Sequence, residues 1–152
     1  MTTVEFEPIT TSARGASPTS DSIELRVPSK PEYVAIVRSL ITDIARRFSM
    51  SEPEVMDLKV AASEACSNVV RHAYEDTADG GIFVRCSSAR GELVIEVADA
   101  GRGFDDIHSR LRKRIEIDGG LGLELMGELM DDVSLNTAPE RGTTVRMTKR
   151  LP

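Results

Sequence analysis

Glu64, Asn68 and His72 recur every fourth residue within a helical pattern, so the three share one side of a helix. A carboxylate so placed can take a proton from an attacking hydroxyl, and a carboxamide oxygen is a hard ligand suited to Mg2+. Alone, such a stripe is more often the solvated side of an amphipathic helix. A second cluster, Asp99-Ala100-Gly101-Arg102-Gly103-Phe104-Asp105, stands where an apolar strand ends. Its first carboxylate can accept a hydrogen bond from the amino group of a base, while the alternating glycines let a flat ring approach the backbone. A plain turn after a strand is the ordinary alternative. A third cluster, Gly119-Gly120-Leu121-Gly122-Leu123, leads into a helix, where exposed amides and the positive helix end favour phosphate. A hinge into a helix reads equally well, and the GK[ST] of a Walker loop and the strand context of a dinucleotide fingerprint are both missing. The fourth, Gly142-Thr143-Thr144, opens the last strand with hydroxyls that can face a ligand, although β-branched residues favour strands for their own reasons.

The elements that carry these clusters follow from periodicity. Ile23, Leu25 and Val27 alternate with polar residues as a first strand that Pro28 stops. Ser29 with Glu32, and Ser51 with Glu54, have the spacing of capping boxes, each with a proline in the first turn. Apolar residues at helical spacing follow each, from Val34 to Phe48 and from Val55 to Ala73. Ile82, Val84 and Cys86, then Leu93, Ile95 and Val97, alternate around Arg90-Gly91 as a hairpin. Asp105 to Asp118 is poor in apolar residues and carries Arg110, Arg112, Lys113 and Arg114 between glycines, the composition of a lid. A helix over Leu121 to Met130 and strands over Val133 to Thr137 and Thr144 to Leu151 complete the chain. Strands and helices in this order predict an α+β two-layer sandwich, with a mostly antiparallel mixed sheet and helices on one face.

The chain has 152 residues, which suits one domain, and its 40% apolar and 29% charged residues are the balance of a globular protein. Residues 1–21, rich in Ser, Thr, Pro and Gly without hydrophobic period, read as a flexible tail, leaving 22–152 as the domain. A net charge of −6, with no basic face, argues against direct nucleic acid binding. No run of roughly 20 apolar residues could span a membrane, and no secretory signal opens the chain, so a cytoplasmic location is expected. Cys66 and Cys86 fall within apolar patterns and read as reduced core thiols.

Together, the order and spacing of the four clusters resemble the GHKL ATPase superfamily. There an N box on a helix, a D-x-G-x-G box, a glycine-rich box and a final G-T strand surround ATP in a Bergerat fold. Within it, IELRVPSKPEYVAIVR, DLKVAASEACSNVVRHAY, GGLGLELMGELMDDV and GTTVRMTK look most like the serine-protein kinases that act as anti-sigma factors, the RsbW and SpoIIAB group. The likeness is strongest toward the anti-sigma-B member and covers nearly everything after Asp21. The resemblance implies Glu64 as general base toward a substrate serine and Asn68 as the Mg2+ ligand between ATP phosphates. Arg71 and His72 would lie near the phosphates. Asp99 would read the adenine amino group, Gly101 and Gly103 would shape the base pocket, and Thr144 would complete it, or Thr143 if the register differs by one. Gly120, Leu121 and Gly122 would close on the phosphates.

The resemblance also implies partners: an alternative sigma factor, a small anti-anti-sigma (STAS-type) protein as substrate, and a second copy in a homodimer. The segment between Phe104 and Gly119 is shorter and more basic than in the anti-sigma-B relatives, which bears on lid geometry and partner choice. Two other readings are a sequestering module without kinase activity and the ATP-binding domain of a histidine kinase. The latter lacks preceding helices with a phosphoacceptor histidine, since His72 and His108 are the only histidines.

Overall fold

The computed structural model describes residues 21–74, 80–101, 122–138 and 140–152. The tail before Asp21 and most of the glycine and lid segments, with Gly103, Gly120 and Leu121, lie outside these residues.

Strand β1 (Ser22–Pro28) leads into helix α1 (Pro31–Arg47). The capping box expected from Ser29 and Glu32 does not form: the N-cap is Lys30, in extended conformation and without a side-chain cap. Ser29 instead donates its backbone N–H to Gly80 O at 2.9 Å and stays tied to the sheet edge. The helix therefore starts one residue later, where its third position is Tyr33, a residue that cannot close a box. Val34, Val37, Ile41, Ile44 and Ala45 are buried along one stripe.

Helix α2 (Glu52–Asn68) begins with the capping box its sequence predicts. Ser51 Oγ accepts from Glu54 N at 3.4 Å, and Glu54 Oε2 accepts from Ser51 N at 2.8 Å. Its buried stripe is Val55, Leu58, Ala61, Ala62, Ala65 and Cys66. The helix does not end at Asn68 but widens into one π-helical turn, Val69–Ala73, a feature that clusters at functional sites.

Strands β2 (Gly81–Ala89) and β3 (Glu92–Asp99) form the expected hairpin, with Arg90 and Gly91 both at positive φ, as a two-residue type I′ turn requires. Helix α3 (Gly122–Leu129) packs on α2, and β4 (Asp132–Ala138) and β5 (Gly142–Arg150) complete the sheet. Lys149 Nζ donates to Leu129 O at 2.6 Å and lies 3.6 Å from Asp57 Oδ2, fastening the end of α3 to β5 and α2.

The strand order is β1-β2-β3-β5-β4, and every pairing is antiparallel where a mostly antiparallel, mixed sheet was expected. Period-two alternation divides the strands by face. Leu93, Ile95, Val97, Val145 and Met147 join the helix stripes in one core, and the alternate residues form the face turned away from the helices. Across that face run Glu24, Arg85, Glu96 and Arg146 on four neighbouring strands. Arg85 lies 2.8 Å from Glu24 and 3.8 Å from the buried Glu96, which is also 3.8 Å from Arg146. Opposite charges set side by side favour this register over a one-residue slip.

Candidate functional site

Glu64 and Asn68 stand one turn apart on α2, and what faces them is the first residue of α3. A Cβ at Gly122 would lie 3.3 Å from Glu64 Oε2 and 3.6 and 3.7 Å from Asn68 Nδ2 and Oδ1. A carboxylate, a carboxamide and a helix N-terminus thus meet at one point, with a glycine leaving room between them. The apolar stripes of α2 and α3 hold the arrangement, since Met126 and Leu58 are both fully buried in the core the two helices share.

The second meeting point lies at the far end of α2. Gly101 sits so close to the carbonyl of Ala73 that any side chain there would collide with it. Asp99 ends β3, and its Oδ1 accepts the N–H of Gly101 at 2.9 Å in an Asx turn that folds the glycine back toward the helix. Gly142, at φ 83°, passes against the carbonyl of Asp99, where a Cβ would be impossible. Some nine residues, about 13 Å at 1.5 Å per residue, separate Glu64 from Ala73 along the helix. The two meeting points therefore lie well apart along the helix and the π-helical turn that extends it.

Strand parity separates the two threonines. Thr144 pairs with Ala98 and lies on the sheet face away from the helices. Thr143 is the cross-strand partner of Asp99 and shares its face, and its Oγ1 lies 2.9 Å from Thr137 Oγ1 on β4. The one-residue alternative is thus the one beside Asp99. The apolar residues at Val145 and Met147 carried that signal, because odd positions of this strand face the core.

Arg71 is exposed, with Nε donating to Ser67 O at 3.4 Å on its own helix, and is not drawn to Glu64 and Asn68. His72 is half-buried within the π-helical turn. Sequence reasoning missed Tyr74. Its hydroxyl donates to Gly81 O and accepts from Ala100 N, both at 2.8 Å, and burial pushes its pKa up. Nothing in spacing marks such a residue, because both partners are backbone groups.

Among the described residues no three His, Cys, Asp or Glu side chains cluster as a metal cage. No helix among the described residues is long and apolar enough to cross a membrane.

The family model for the histidine kinase-like ATPase domain matches residues 27–149. The serine-protein kinase RsbW of Bacillus licheniformis is 42% identical over 142 residues, covering 87% of each chain. That of Bacillus subtilis is 39% identical over the same length and coverage. Among solved structures, the RsbU and RsbW domains of a Mycobacterium tuberculosis protein superpose with a TM-score of 0.67 at 20% identity, over 86% of this chain and 32% of that one. The histidine kinase domain of a blue-light activated enzyme from Erythrobacter litoralis gives 0.57 at 21% identity, over 90% of this chain and 66% of that one. These two are likenesses of fold. Shared sequence over most of the length of both chains goes further, and by it this chain belongs to the histidine kinase-like ATPase domain family and, within it, to the RsbW serine-protein kinases.

Proposed function

We propose that this kinase uses Mg-ATP to phosphorylate a serine of a small anti-anti-sigma protein of STAS type, and that it holds an alternative sigma factor inactive until that antagonist displaces it. The observation that carries the reading is the convergence of Glu64 and Asn68 on Gly122 at the start of α3. Glu64 accepts the hydroxyl proton as the substrate serine oxygen bonds to the γ-phosphorus and the bond from that phosphorus to the bridging oxygen breaks, releasing ADP. The first amides of α3 point toward the transferring phosphoryl group, where their partial positive charge opposes the negative charge that builds up. Asn68 offers its carboxamide oxygen to Mg2+, which when bound neutralises charge on the phosphate oxygens. Asp99 accepts the adenine amino group at the other end of the site, with Thr143 beside it, and Gly101, held against Ala73, shapes the base pocket. Gly103, Gly120 and Leu121 belong to the same boxes by sequence and take the base-pocket and phosphate-closing roles; the resemblance gives Arg71 and His72 to the phosphates, although they directly precede Ala73, at the base end of the helix.

Glu64→Gln keeps the shape and removes the base. It is expected to lower phosphotransfer to the antagonist by roughly 100-fold or more while ATP affinity stays within a few-fold. An unchanged transfer rate removes Glu64 from the base role. A sequestering module that binds ATP without transferring phosphate is the second reading, favoured if labelled ATP leaves no phosphoserine on any candidate antagonist.

Family resemblance also supports a homodimer working in the cytoplasm, with residues 22–152 as the kinase domain. Light scattering on the full chain should give twice the 16.6 kDa of one copy.

A further inference from the structure

We infer that Tyr74 is a positioning residue for the nucleotide, its hydroxyl inserted between the ends of β2 and β3 to set where the Asp99 carboxylate stands. The ladder between these strands closes at the pair Phe83 and Ala98. Continued two residues further, the same register would bring Gly81 opposite Ala100. An amide-to-carbonyl bond between them would keep β3 running straight along β2. Instead the Ala100 N–H donates to the Tyr74 oxygen and the Tyr74 O–H donates to the Gly81 carbonyl, each at 2.8 Å. A phenol oxygen with one donor and one acceptor role satisfies both backbone groups and holds them one oxygen apart.

Released from β2 at this point, the chain turns toward α2. The Asx turn from Gly101 to Asp99 Oδ1 and the close approach of Gly101 to the Ala73 carbonyl follow directly. Tyr74 is the residue after Ala73, so the helix end that receives Gly101 also supplies the hydroxyl that sends it there. The ring is fixed in turn, because Gly80 lies against it where any side chain would overlap Tyr74. Tyr74 therefore acts on the nucleotide through Asp99, and the inference rests on the reading of Asp99 as the acceptor of the adenine amino group.

Tyr74→Phe keeps the ring against Gly80 and removes only the bridge. Ala100 and Gly81 then pair directly or through water, and Asp99 is displaced from the base. The expected result is a Kd for ATP raised about tenfold, with kcat at saturating ATP within about threefold of the parent, since misplacing a binding group costs affinity more than chemistry. A merely structural role would instead lower the active fraction and leave Kd unchanged. The second arm is a double-mutant cycle with Asp99→Asn: once Asp99 is disabled, Tyr74→Phe should weaken ATP binding by less than about twofold more. Equal ATP affinity of Tyr74→Phe and the parent, or additive losses in the cycle, overturns the role of Tyr74 alone. A parent protein that binds no adenine nucleotide, or an Asp99→Asn variant that binds it as tightly as the parent, overturns the reading of Asp99 and the inference with it. Should Tyr74→Phe fail to fold, amide hydrogen exchange on the parent decides. The Ala100 amide is expected to be protected by its bond to Tyr74, and exchange at the rate of an open loop would overturn the inference.

Discussion

At Gly122 the demands of folding and of chemistry pull in opposite directions. Alanine is the better helix former, by up to about 1 kcal/mol in a helix interior, and a methyl group in the first turn removes nothing from the core. That methyl would nevertheless stand 3.3 Å from the Glu64 carboxylate and displace whatever lies between it and Asn68. Gly122→Ala is therefore expected to keep or raise Tm in a thermal scan while phosphotransfer falls roughly tenfold or more. A loss of Tm with transfer intact would mean that the glycine serves the fold. The pairing of Glu64 with Asn68 was legible in the sequence because the helical period alone puts them together. That Thr143, and not Thr144, shares the face of Asp99 was also written there, in the parity of Val145 and Met147, although a motif read by its letters leaves the two threonines undistinguished. Tyr74 was not legible, since its partners are backbone groups brought together by two strands and a helix end.

For the elements, local signals succeeded where the chain near them is free and failed where another element holds it. Ser51 follows a turn and caps α2 as its spacing requires, whereas Ser29 is held by its bond to Gly80 and leaves α1 uncapped by a side chain. The π-helical turn was invisible because its apolar positions, Val69 and Ala73, continue the α2 pattern. The cap on α2 can be tested by pH. The backbone N–H of Ser51, and then its hydroxyl, hold the Glu54 carboxyl below its ordinary 4.5. A carboxylate whose pKa is lower folded than unfolded adds stability above its unfolded value and loses it as the pH falls through the folded one. Ser51→Ala should lower Tm by a few degrees at pH 7, consistent with the loss of an N-cap, and by less once the pH has fallen through the folded-state pKa of Glu54, where the hydroxyl no longer holds a carboxylate. A Tm difference that does not change with pH would show that the bond from the Ser51 hydroxyl to the Glu54 carboxylate contributes nothing.

The molecule as a whole buries one core between two layers, and its two thiols sit in that core from opposite sides, Cys66 on α2 and Cys86 on β2. Burial pushes both thiols up to about 12 from an ordinary 9.0. A thiol that holds its proton more tightly when folded makes the folded state the greater proton binder above pH 9, so stability falls as the pH rises from 9 toward 12. It also means that neither sulfur can react until the layers part, because the thiolate is the reactive form. Alkylation at pH 8 with a small reagent therefore reports the opening of the whole domain and not of a loop. On the function proposed above, Mg-ATP would bind along α2 and across the ends of β3 and β5, and so would stabilise the layers that shield the thiols. At a ligand concentration of about 100 times Kd, linkage amounts to roughly 2.7 kcal/mol, and alkylation of both cysteines should slow by about 100-fold where closing outpaces the reagent. Protection of one cysteine without the other would mean that α2 and the sheet open separately, and that the nucleotide braces one layer instead of joining the two.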